Sequence, residues 1–182
     1  MSSPSSSPSD LSGKFDMARF INSGTIALTA AFAGVLFGAQ GLLADGLAVP
    51  PIRDKTVAKE CAACHMLYPA ALLPARSWKA MTGNLTDHFG DNATLDAATA
   101  RTIEDYLTAN AADAGGRQSK LLRRLDPAVT PARITDLPWW RRKHEKKDRV
   151  APATLARKGA KFKGDCKACH KQAEQGRFEE EN

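Results

Sequence analysis

Cysteine is scarce in this chain, with four residues in 182, and histidine is equally rare at four. All four cysteines fall in two copies of one pattern, Cys61-Ala62-Ala63-Cys64-His65 and Cys166-Lys167-Ala168-Cys169-His170, so no thiol is left over. Zinc ribbons bring their cysteine pairs within about 15 to 20 residues of each other. Here about a hundred residues separate the pairs, which argues against a shared zinc site. Neither a redox dithiol nor a structural disulfide explains why a histidine follows both pairs. Charge is missing altogether from residues 25–43, a mostly apolar run. Acidic residues are outnumbered, 20 against 26 Lys plus Arg.

What remains is a chemistry that needs each residue at its own offset. Two thiols three positions apart can add to the two vinyl groups of one haem, and the next residue supplies an imidazole to the iron. The chain therefore reads as carrying two covalently bound haem c groups, attached at Cys61 and Cys64 and at Cys166 and Cys169, with His65 and His170 as proximal ligands. Two irons still need a sixth ligand each, and only two other histidines exist, His88 and His144. Four cysteines and four histidines then fit two haems with nothing left over. Methionine is the competing sixth ligand. Met66 is adjacent to a proximal histidine and poorly placed to cross to the other face, which leaves Met81 as the alternative at the first haem. Sequence distance pairs His65 with His88 and His144 with His170, while spacing alone leaves a crossed pairing open. With every axial position filled, neither iron can take a substrate, and the reading is an electron carrier of low potential. The rival is a haem enzyme or gas-binding protein with one displaceable site, against which the small size leaves little chain to shape a substrate pocket. Trp78, Trp139 and Trp140 read first as packing on the macrocycle and second as electron relays.

The N-terminal 48 residues have the layout of an export signal. A Ser/Pro-rich start is followed by Lys14 and Arg19, the apolar run at 25–43, and small residues at Gly46-Leu47-Ala48, where cleavage after Ala48 is expected. The run is also just long enough to span a bilayer, so an uncleaved anchor is the alternative. Both place the folded part outside the cytoplasm, in the periplasm, which suits thiols destined for haem attachment. Removing Lys14, Arg19, Asp10, Asp16 and Asp45 from the totals leaves 24 Lys plus Arg against 17 Asp plus Glu from Val49 onward. The excess sits in the second half, at Arg141-Arg142-Lys143, Lys146-Lys147, Arg149, Arg157-Lys158 and Lys163. An exported haem protein meets little nucleic acid, so this run reads as a solvated face that steers an acidic redox partner.

The expected fold class is all-α, in two haem segments. Residues 49–116 read as a small class I cytochrome c-like domain, with a motif helix over 54–66, a weaker helix within 72–85, turn chemistry at Phe89-Gly90-Asp91-Asn92, and a helix over 95–112 stopped by Gly115-Gly116. Ile103, Tyr106, Leu107 and Ala111 share a face of that last helix and are expected to cross the motif helix. Residues 117–133 read as a polar, basic linker with one helical turn near Leu121. Residues 134–182 read as a short, irregular second haem domain, with a helix from Pro138 to about 148 and another over 154–161. No second long terminal helix follows, so this segment is not a copy of the first.

Several runs carry a family resemblance: Cys61 to Met66 with Tyr68-Pro69, Leu72-Leu73-Pro74, Ser77-Trp78, His88-Phe89-Gly90, Asn92-Ala93, then Ile134-Thr135, Pro138-Trp139, His144, and the final motif with Gly176 and Phe178. Together they closely resemble the exported dihaem cytochromes c called DHC. The resemblance implies an electron-transfer protein with both haems bis-histidine ligated, a class I-like first domain and an irregular second one. It also implies a small oxygen-binding monohaem cytochrome as electron acceptor and a membrane cytochrome b as possible donor, with no small-molecule substrate. The chain departs from the family in its long Ser/Pro-rich start and its acidic tail, Glu179-Glu180-Glu181.

Overall fold

Helix starts in this chain are set by short polar side chains and by proline. In the computed structural model, which describes residues 47–114 and 119–179, Asp54 caps α1 (Lys55–Cys61) by accepting from the Val57 amide at 2.9 Å. Pro74 precedes α2 (Ala75–Thr82), and Asp96 caps α3 (Ala97–Ala109) through the amides of Ala98 and Thr99. Proline at the first helical position opens both α4 (Pro138–His144) and α5 (Pro152–Lys158). Gly159, at φ 67°, closes α5 in the left-handed conformation that a side chain resists. The expected helix at 54–66 thus stops at Cys61, and the one from Pro138 ends at His144 with a separate 3-10 turn at Lys146–Asp148. The apolar run at 25–43 and the Gly115-Gly116 stop lie outside the described residues, among which no helix is long and apolar enough to cross a membrane.

The fold is mostly helical, with one addition that the all-α reading lacked: β1 (Leu47–Ala48) pairs antiparallel with β2 (Arg177–Phe178), Leu47 opposite Phe178. Four residues of alternating pattern are too short for periodicity to reveal a strand. Leu47 is 7% exposed and joins Leu72 and Leu121 in a small apolar cluster, so a residue one position inside the expected cleavage point belongs to the packed structure.

The main core runs through both haem segments. α3 packs on α1 and α2, with Ile103 and Leu107 against Val57, Leu73 and Trp78, as the shared helix face requires. Tyr106 is only half-buried, and its hydroxyl accepts from the Arg53 amide at 3.0 Å. Leu122, Leu137 and Trp140 complete the same core, and α4 packs on the 3-10 turn Lys120–Leu122. Leu121 and Leu122, inside the expected linker, are 0% and 2% exposed. The described residues of both segments belong to one compact unit, as chains this short need to bury enough surface.

Candidate functional site

α1 delivers the first motif by ending inside it. Cys61 is its last residue and Ala62 its cap, so Cys64 and His65 sit on the turn that follows. His65 Nδ1 lies 2.7 Å from the Met66 carbonyl. A carbonyl can only accept, so Nδ1 carries the proton and Nε2 keeps the lone pair. His88 arrives after α2 and the 3-10 turn Leu85–Asp87. Its amide donates to the Asp91 carbonyl at 2.7 Å and its carbonyl accepts from the Asp91 amide at 3.3 Å. The residues between them take positive φ, 59° at Phe89 and 102° at Gly90, the backbone that closes a two-residue hairpin. For Phe89 that conformation costs about 1 kcal/mol, and the Arg133 guanidinium lies over its ring at 4.1 Å. The product of this bracing is a near-parallel pair: the His65 and His88 rings have centroids 6.1 Å apart and planes 26° apart.

The second motif forms a 3-10 turn, Cys166–Ala168, with the His170 amide donating to the Cys166 carbonyl at 2.7 Å. His170 Nδ1 donates to the Glu179 carbonyl at 2.9 Å, and the Phe178 ring meets the imidazole edge-on at 5.7 Å. β1–β2 pairing holds that strand in place behind His170. His144, the last residue of α4, donates from Nδ1 to the Trp140 carbonyl at 2.9 Å, and its ring stacks on Trp140 at 4.3 Å and 9°. The His144 and His170 centroids are 6.2 Å apart with planes at 83°.

Each spare histidine therefore lies against the motif histidine of its own segment. A metal bound at about 2 Å by one ring nitrogen from each side sets the two centroids about 6 Å apart, as observed in both pairs. Among the described residues, no group of three or more His, Cys, Asp or Glu could hold a bare ion. Burial, with Glu60 second, pushes the Cys61 thiol up, and burial with Asp165 pushes Cys166 up to about 12. Redox-active dithiols need the opposite shift, toward thiolate. Burial, with the His65 ring second, holds His88 below the usual histidine range, while Asp91 opposes. The neutral ring that results is the form that ligates a metal.

A cleft of about 180 Å³ opens beside His88, lined by Ser77, Met81 and Phe89 among others. The Ser77 hydroxyl is buried without a hydrogen-bond partner, as is one nitrogen of Arg142. Both are donors that a propionate could satisfy, so the residues fit haem. Met81 lines the same cleft, but it is His88 whose ring faces His65.

Trp78 is a packing residue, 5% exposed with its indole N–H donating to the Ala70 carbonyl at 2.8 Å. Trp140 does more than pack, since it orients His144 by stacking and through its carbonyl. Sequence reasoning missed three residues that tie the motifs together. The Tyr68 ring lies 5.1 Å from His65 while its hydroxyl donates to the Gly164 carbonyl at 2.8 Å, two residues before Cys166. Glu174 accepts from the Leu67 amide at 3.1 Å and pairs with Lys167 at 2.9 Å. Phe178 braces His170. In the sequence Tyr68 and Phe178 entered only through the family resemblance, with no role attached, and nothing marked Glu174.

Comparisons with known proteins agree with this chemistry. Residues 57–178 match the family described as dihaem cytochrome c. A solved diheme cytochrome c from Rhodobacter sphaeroides is 48% identical, covers 72% of this chain and 99% of its own, and superposes with a TM-score of 0.64. A second structure, of DHC purified from the same organism, is 46% identical, with 70% and 99% coverage and a TM-score of 0.58. The diheme cytochrome of Shewanella baltica OS155 is 36% identical, with 67% and 84% coverage and a TM-score of 0.53. No curated protein matches the chain.

Proposed function

The chain belongs to the dihaem cytochrome c family and carries two covalently bound haem c groups, and from that premise we propose that it is an electron-transfer protein whose irons are each closed by two histidines. His65 and His88 serve the first iron, and His170 and His144 the second. The observation that supports this reading is the opposed ring pairs, 6.1 and 6.2 Å between centroids.

The chemistry supplied by the group is a one-electron change at iron. What the chain contributes is a fixed coordination shell. Nδ1–H donation by His65, His144 and His170 to backbone carbonyls fixes each tautomer and raises ligand basicity, which favours low potentials. In this reading α1 to α3 form a class I-like haem domain and the remainder a shorter, irregular one. The protein works in the periplasm after export, taking electrons from a membrane donor such as a cytochrome b and passing them to a small oxygen-binding monohaem cytochrome. One observation favours a second reading at the first haem: among the described residues, nothing accepts from the His88 ring, so His88 is the weakest-held ligand and the place where a gas could enter.

The test is the optical spectrum of the dithionite-reduced protein with and without carbon monoxide. Two closed irons give low-spin spectra that carbon monoxide leaves unchanged within mixing time. Rapid binding at either haem sinks the closed-carrier reading.

A further inference from the structure

We propose that the face around Phe162 is the docking surface for an acidic redox protein, placing that partner at the second haem. The proposal rests on the electron-carrier reading and adds the site of exchange. Phe162 is 53% exposed. Lys158, Lys161, Lys163, Lys167 and Lys171 surround it in sequence, and all five are exposed. Asp165 is the one acidic residue between positions 157 and 171, and its carboxylate accepts from the Lys161 amide at 3.1 Å. Lys167 is partly offset by Glu174, which leaves Lys158, Lys161 and Lys163 as the strong positive rim.

An apolar centre inside a charged rim is the anatomy of a transient protein interface, in which the rim steers encounter and the centre excludes water. Its placement is what makes it a redox surface. Cys166 and Cys169 lie within the same run, so the porphyrin is attached inside the patch. Phe162 is fixed there: its carbonyl accepts from the Asp165 amide at 3.0 Å, and a side chain at Gly164 would collide with its ring at 2.7 Å. The first haem has the opposite surroundings. Residues 87–105 beside His88 carry Asp87, Asp91, Asp96, Glu104 and Asp105 against Arg101 alone. Arg133, over the Phe89 ring, offsets part of that charge at the first haem, so an acidic partner is drawn more strongly to the second.

The experiment uses the full holoprotein and, as probe, a reduced plant-type ferredoxin, an acidic protein of low potential, with haem reduction followed by stopped flow. Lys158→Glu/Lys161→Glu is compared with Lys79→Glu/Lys120→Glu, which makes the same change in net charge on exposed residues far from the motif in sequence. The first pair is expected to slow reduction about ten-fold or more at low salt, and the difference to shrink as salt screens the rim. Phe162→Ala is expected to slow reduction without changing the salt slope. Equal effects of the two double variants would show that net charge alone steers, and an unaltered rate in Phe162→Ala would remove the apolar centre; either overturns the proposal. Each variant must first give the closed low-spin spectrum with both haems reducible by dithionite, and failure of that control in the unaltered protein indicts the carrier reading instead.

Discussion

Replacing His88 with alanine isolates the first iron. The His88 backbone is held by its two hydrogen bonds to Asp91 and by the turn at Phe89 and Gly90, none of which needs the imidazole. Among the described residues its ring makes no hydrogen bond, and the side chain is only half-buried, so the fold should lose about 1 kcal/mol or less. The coordination loss is larger and local. One iron of two becomes five-coordinate, so the reduced variant should bind one carbon monoxide per protein while the unaltered protein binds none, and half the haem absorbance should move to a high-spin form. His144→Ala should open the other iron at greater structural cost, because the Trp140 stack and the Nδ1–H bond to its carbonyl go too, about 1–2 kcal/mol together. The assay is a carbon monoxide titration with thermal melting alongside. An unchanged low-spin spectrum in His88→Ala would refute the assignment and hand the ligand role to Met81, which lines the same cleft.

Three further outcomes follow from the packing. Leu121→Ala, at a fully buried position within the stretch that reads as a linker, should lower stability by about 2–5 kcal/mol, and a loss below about 1 kcal/mol would show that this turn is peripheral. Gly176 has φ 76°, and a side chain there would collide with the Val49 carbonyl, so Gly176→Ala should unpair β1 from β2 and lower the melting temperature; an unchanged melt contradicts the packing at that strand. Holoprotein beginning at Leu47 should be more stable than one beginning at Val49 by about 1.5–3 kcal/mol, the burial of one leucine, whereas equal melts would mean β1 is dispensable, as cleavage after Ala48 requires.

The cofactor and its attachment were legible because covalent chemistry fixes residue type and offset together, and two five-residue motifs leave little freedom. The ligand candidates were legible by counting. What spacing left open was which ring meets which, since that depends on a hairpin at Phe89-Gly90 and on a helix ending at His144, both decided by tertiary packing. The long helix α3 was visible through its cap and its apolar face. In the 117–133 stretch three basic residues, Lys120, Arg123 and Arg124, frame Leu121 and Leu122 and hide two core positions in a polar composition. The contacts of Tyr68 and Glu174 stayed invisible because each acts across about a hundred residues of chain, where no local periodicity reports contact.

The most direct test of two closed, bis-histidine irons is the electron paramagnetic resonance spectrum of the oxidised protein. Nearly parallel imidazoles, 26° apart at His65 and His88, act mainly on one of two iron d orbitals and split them, which gives a rhombic low-spin signal. Crossed imidazoles, 83° apart at His144 and His170, act on both orbitals alike and leave them nearly degenerate, which gives a single feature at much lower field. The account predicts both signals in equal amounts with no high-spin iron. A high-spin signal, or two identical low-spin signals, would contradict it.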